Sequence, residues 1–174
     1  MRRVIAPLAL VLLSGCYDWV AVGDSILYGQ EDELRAELGD NGVLDALIAR
    51  DAAPDVVDRL VDRLQPGGWL IVQDDGGSAA VESYRAYVDH VVEVTPDDRC
   101  ILWVLPFSVW QPERDARFRD EIQAGLEAHP CHATIPWHEV AAAHPEEMTT
   151  DGLHPTEAGH RWIVAAIGAA VGQP

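Results

Sequence analysis

Apolar residues in this chain fall into short unbroken runs separated by longer stretches with one apolar face. Residues 19–22, 69–72 and 101–105 are continuous apolar runs of strand length, as expected for strands covered on both faces. Residues 43–48 and 131–136 make two further short runs. Between them, Ile26, Leu27, Leu34 and Leu38 mark a helix over 26–38, stopped by Gly39-Asp40-Asn41-Gly42. Val56, Val57, Leu60, Val61 and Leu64 recur at helical spacing behind Pro54, and Pro66-Gly67-Gly68 is read as the end of that helix. Helices are also expected over 79–92, 113–128, 137–143 and 156–171. Strand and helix thus alternate throughout, which predicts a parallel sheet with helices on both faces in one domain.

A sheet of that kind binds its ligands outside the carboxyl ends of its strands. Ser25, Asp74-Asp75, Pro106-Phe107 and Trp137-His138 all directly follow a predicted strand. The turn Gly23-Asp24-Ser25 admits two readings, a helix cap or a sharp turn presenting a hydroxyl at the sheet edge. Serine is a poor nucleophile until a base takes its proton, and histidine is the usual base near neutral pH. Asp151 and His154 lie three residues apart in a Gly-containing turn before the last helix, a spacing that lets the carboxylate fix the imidazole. The other histidines fall in helices or loops. His144-Pro145-Glu146 is a lone His-x-Glu and no Cys-x-x-Cys spacing accompanies it, so no metal is expected. No Gly-rich phosphate loop follows the first strand, and no cofactor is expected.

Composition narrows this picture. Apolar residues make up 48% of the 174 and charged ones 24%, the balance of a folded domain. All twelve basic residues are Arg, and the formal net charge of −17 leaves no basic stripe for nucleic acid. Met1-Arg2-Arg3 followed by ten apolar residues, 4–13, has the form of a secretory signal over residues 1–15, too short to span a bilayer. Leu13-Ser14-Gly15-Cys16 resembles the lipobox of bacterial lipoproteins, a resemblance that implies lipidation of Cys16; the alternative is an ordinary signal peptide. The expectation is a domain over 17–174, held to the cell envelope by a lipid anchor alone. Cys100 and Cys131 each precede a predicted strand, and if those strands are parallel neighbours the two thiols come within disulfide range. Two separately buried thiols are the alternative.

Gly-Asp-Ser near the start of that domain, taken with Asp151-Gly152-Leu153-His154-Pro155 near its end, resembles the SGNH, or GDSL-type, hydrolase family. The resemblance covers nearly the whole domain. It implies a three-layer α/β/α flavodoxin-like fold with a parallel sheet of about five strands. It also implies a Ser25–His154–Asp151 triad that hydrolyses acyl esters. Trp137-His138 through His144-Pro145 and the residues after Asp151 are similar to members linked with cell-envelope acyl groups. The family surrounds its oxyanion with the nucleophile's N–H, a Gly N–H of a second block and an Asn side chain of a third. The corresponding candidates here are Ser25, Ala49 (in Asp45-Ala46-Leu47-Ile48-Ala49-Arg50) and Asp74 (in Val72-Gln73-Asp74-Asp75). Ala49 keeps an N–H if its backbone angles suit a residue with a Cβ. An ionised Asp74 accepts hydrogen bonds and donates none, and losing one such donor costs about 3–4 kcal/mol. A protonated Asp74, or donors from Gly76, Gly77 or Ser78, would restore part of this.

The implied function is a monomeric serine esterase acting on acyl, foremost acetyl, esters of an envelope or extracellular carbohydrate. The alternatives are an O-acyltransferase using the same serine and a non-catalytic lipoprotein that binds a carbohydrate or partner in the same crevice.

Overall fold

The computed structural model describes residues 16–50, 53–75, 77 and 79–172. The predicted signal and most of the lipobox lie outside them. Five strands form one parallel sheet: β1 (Tyr17–Gly23), β2 (Gly42–Ala46), β3 (Leu64–Gln73), β4 (Cys100–Val104) and β5 (His132–Ile135), in the order β2-β1-β3-β4-β5. The helices are α1 (Glu31–Leu38), α2 (Pro54–Val61), α3 (Val81–Val94), α4 (Pro112–Leu126), α5 (Trp137–Ala143) and α6 (Glu157–Val171). Alternation along β1 assigns the faces. Val20 and Val22 pack with Val57, Tyr84, Val88 and Phe118 of α2, α3 and α4. Trp19 and Ala21 pack with Leu34, Trp137 and Ile163 of α1, α5 and α6. The result is the expected three-layer α/β/α arrangement, and its central strands are buried on both faces.

Three boundaries differ from the reading of the sequence. The first helix begins at Glu31 rather than Ile26. Before it, Asp24 accepts at its carbonyl from the Tyr28 N–H and Gly29 takes a left-handed φ of 83°, so residues 24–29 are turns. The second strand stops at Ala46, which leaves Leu47 and Ile48 exposed. Pro66-Gly67-Gly68 lies inside β3 and does not close α2, which ends at Val61. Leu64 pairs with Tyr17 and Trp69 with Trp19, and the pairing shifts register between them. That irregularity accommodates a Pro that has no N–H to give the ladder.

Cys131, just before β5, is joined by a disulfide to Cys100 at the start of β4, with Cα atoms 4.7 Å apart. Ile101 N–H donates to the Cys131 carbonyl at 3.0 Å, so the covalent link and the strand pairing reinforce one register.

Candidate active site

Because all five strands are parallel, the segments that leave them rise from one edge of the sheet. Ser25 follows β1, Ala49 follows β2, Asp75 follows β3 and Trp110 follows β4. They line a cleft of about 520 Å³ together with Leu153 and His154 from the segment before α6.

In the turn after β1, the Asp24 carboxylate accepts from the Ile26 N–H at 2.8 Å and from the Asp75 N–H at 2.9 Å. One side chain therefore folds the turn that carries Ser25 and ties it to the exit of β3. Asp24 is buried, and burial first, then the charge of Asp75, push its carboxyl from 3.8 up to about 6. The bonds from Ile26, Asp75 and Gln73 oppose that rise. The carboxylates of Asp24, Asp74 and Asp75 approach within 4.8 Å of one another. Each Asp24 oxygen also accepts one backbone N–H, from Ile26 and from Asp75.

Ser25 Oγ lies 2.8 Å from His154 Nε2, and His154 Nδ1 lies 2.7 Å from Asp151 Oδ2. In the neutral tautomer with the proton on Nδ1, the imidazole donates to Asp151 and accepts the Ser25 hydroxyl proton at Nε2. The other Asp151 oxygen accepts from Thr149 Oγ1 at 2.6 Å, the Leu153 N–H at 2.9 Å and the His154 N–H at 3.0 Å. Chiefly through the Thr149 hydroxyl, these bonds hold the Asp151 carboxyl far below the usual carboxylate range. An ionised Asp151 beside Nδ1 is the arrangement in which a carboxylate orients an imidazole.

The turn carrying these residues is clamped from outside. Gly152 has φ 66°, and its carbonyl accepts from the Val109 N–H at 3.0 Å. The Trp110 indole N–H donates to the Asp151 carbonyl. A Cβ added at Gly152 would stand 2.1 Å from Val109 Cγ2, so only glycine fits between turn and clamp.

The three oxyanion candidates fare differently. Ser25 and Ala49 both line the cleft. Ala49, at φ 56°, is the one non-glycine residue with positive φ among the described residues, holding with a Cβ a conformation that favours glycine. Asp74 is buried outside the cleft lining, and its carbonyl accepts from the Tyr84 hydroxyl at 3.0 Å. Asp75 takes the wall position instead, with Oδ1 accepting from the Gly77 N–H at 2.7 Å. Gly77 is thereby engaged, while Gly76 and Ser78 lie outside the described residues.

Sequence reasoning passed over Thr149 and Trp110. Thr149, two residues before the Asp, carries a local hydroxyl-to-carboxylate pattern that is readable in principle. Trp110 gives no sign of its place, since only the fold brings the segment after β4 against the turn of Asp151 and His154.

No protein-family model matches the chain, and no curated protein matches its sequence. Solved structures do match. The C-terminal catalytic domain of Streptococcus pneumoniae peptidoglycan O-acetyltransferase A is 18% identical, with a TM-score of 0.73 over 90% of this chain and 93% of that one. A family 3 carbohydrate esterase of Clostridium thermocellum is 13% identical, with a TM-score of 0.61 over 86% and 92%. A GDSL-like lipase of Bacteroides ovatus is 14% identical, with a TM-score of 0.58 over 89% of this chain and 52% of that one. The chain has the fold of the SGNH, or GDSL-type, hydrolases.

Proposed function

We propose that this protein is a serine esterase that cleaves acyl esters, foremost acetyl esters, of an envelope or extracellular carbohydrate, with Ser25, His154 and Asp151 as its triad. The observation that carries the reading is the unbroken chain of contacts, Ser25 Oγ to His154 Nε2 at 2.8 Å and His154 Nδ1 to Asp151 at 2.7 Å, opening into a cleft. The Ser25 oxygen attacks the ester carbonyl while its proton passes to Nε2. The tetrahedral oxyanion takes the backbone N–H groups of Ser25 and Ala49. The imidazolium then protonates the departing alkoxide, leaving an acyl-serine and a free sugar hydroxyl. Water, deprotonated by the same nitrogen, releases the acid.

Transfer is the second reading, favoured by the likeness to a peptidoglycan O-acetyltransferase domain. The two outcomes share one acyl-enzyme and differ in whether water or a sugar hydroxyl accepts the acyl group. Attachment through a lipidated Cys16 completes the proposal; Cys16 is exposed next to β1, and no described helix is long and apolar enough to cross a membrane.

Turnover of p-nitrophenyl acetate by the folded domain, with and without a sugar acceptor, tests the reading. Hydrolysis well above that of Ser25→Ala is expected, and acetylated sugar in the acceptor arm identifies transfer. Equal rates for the two proteins contradict it.

A further inference from the structure

Large apolar side chains exposed on the described surface are few: Tyr28, Leu47, Ile48, Val109 and Trp110. Ile48 (67% exposed) and Trp110 (72% exposed) line the cleft, and Leu47 and Val109 are their chain neighbours. The strand order sets the two pairs on opposite flanks of Ser25, one after the edge strand β2 and the other after β4. Apolar surface is thus concentrated at the mouth of the cleft, where it has a use.

The Trp110 ring is held in place. Its N–H donates to the Asp151 carbonyl, while the Val109 N–H bonds Gly152 and the buried Ser108 hydroxyl accepts from the Gln111 N–H at 3.2 Å. A large flat face fixed beside the nucleophile binds at low entropic cost. Polar groups surround it in the same cleft, among them Gln111 and Asp75. The two guanidinium groups of the lining are already committed, Arg50 to Asp45 and Arg114 to Asp115 and to the Gly77 carbonyl. No cation among the described lining residues is left over for an anionic ligand, and the Asp24 and Asp75 carboxylates disfavour one.

A pyranose ring has the matching surface: an apolar face of C–H groups edged by hydroxyls. We propose that Trp110 is the specificity-determining residue of this site, a stacking platform that selects uncharged pyranosyl esters and seats the ring while its acyl group reaches Ser25. The inference rests on the proposed esterase reading for the acyl step but not for the binding of the sugar.

The test separates the two. With Ser25→Ala as background, the affinity for chitotetraose, an ester-free uncharged pyranose oligomer, is measured by calorimetry with Trp110 intact, as Trp110→Phe and as Trp110→Ala. In the Ser25 enzyme, kcat/KM is measured for an acetylated methyl glucoside and for vinyl acetate, which has no ring. Loss of the platform is expected to weaken sugar binding by about tenfold and to cut the glucoside-to-vinyl-acetate ratio of kcat/KM by about tenfold, with Trp110→Phe largely restoring both; loss of the N–H bond to Asp151 lowers turnover of the two esters alike and leaves their ratio unchanged. Sugar binding within twofold across the three proteins overturns the proposal. So does an equal loss on vinyl acetate and glucoside, which makes the ring a support for the catalytic turn alone. Platform-dependent binding without any turnover upholds Trp110 and removes the esterase reading.

Discussion

Asp75 and Ala49 are the cleft-lining residues that bear most on the oxyanion of the proposed reaction. An ionised carboxylate in the wall beside Ser25 repels a developing oxyanion, whereas an amide there donates to it. Asp75→Asn keeps an oxygen for the Gly77 N–H and adds a donor; it is expected to raise kcat on p-nitrophenyl acetate by about tenfold or more. Asp74→Asn, altering a side chain that does not line the cleft, is expected to give no such gain. A gain confined to Asp74→Asn reverses the assignment. At Ala49 the issue is backbone strain rather than charge. A left-handed φ costs a residue with a Cβ roughly 1–2 kcal/mol, and the extra unfolded-state freedom of glycine returns part of this. Ala49→Gly is therefore expected to stabilise the domain by about 0.5–1 kcal/mol in urea unfolding. Destabilisation by that substitution shows that the Cβ makes a contact worth more than the strain.

Elements were legible wherever an apolar run met a turn signal. β4, α5 and α6 fall within a residue or two of their expected bounds, because continuous runs and helical spacing determine them locally. The failures were at punctuation. Pro66-Gly67-Gly68 reads as a stop in any local window, yet pairing of Leu64 with Tyr17 carries the strand through it. The same limit applies to the site: Asp151 and His154 declare themselves by spacing, but the clamp on their turn comes from residues about forty positions earlier. That clamp makes a sharp prediction. Gly152→Ala drives a Cβ into Val109 and strains the backbone, so the turn must shift. Since small displacements of catalytic groups cost up to about 10²-fold, kcat is expected to fall at least tenfold while the far-ultraviolet dichroism stays native. Full activity in this variant means that the clamp does not position His154.

Across the whole molecule, Asp24 links stability to pH because it joins β1 to β3 from a buried position. Its folded pKa, about 6, lies above the unfolded value of 3.8. The folded state therefore holds the proton more tightly: the associated stability is complete below pH 3.8 and is lost as pH rises through about 6. The difference in unfolding free energy between the wild type and Asp24→Asn is expected to shrink by up to about 3 kcal/mol from pH 4 to pH 7, with Asp151 and the other carboxylates cancelling in the comparison. A difference independent of pH contradicts a raised Asp24. The sequence could not foretell this, since burial of Asp24 and the approach of Asp75 exist only once the sheet has assembled. The same assembly underlies the central claim, that the sheet edge turns an ordinary hydroxyl into a nucleophile through His154. The most direct measurement is covalent: the domain is treated with methylsulfonyl fluoride and the modified peptide located by mass spectrometry. A single adduct on Ser25, abolished in His154→Ala, is the predicted result; no adduct, or labelling of Ser25 that is indifferent to His154, contradicts the account.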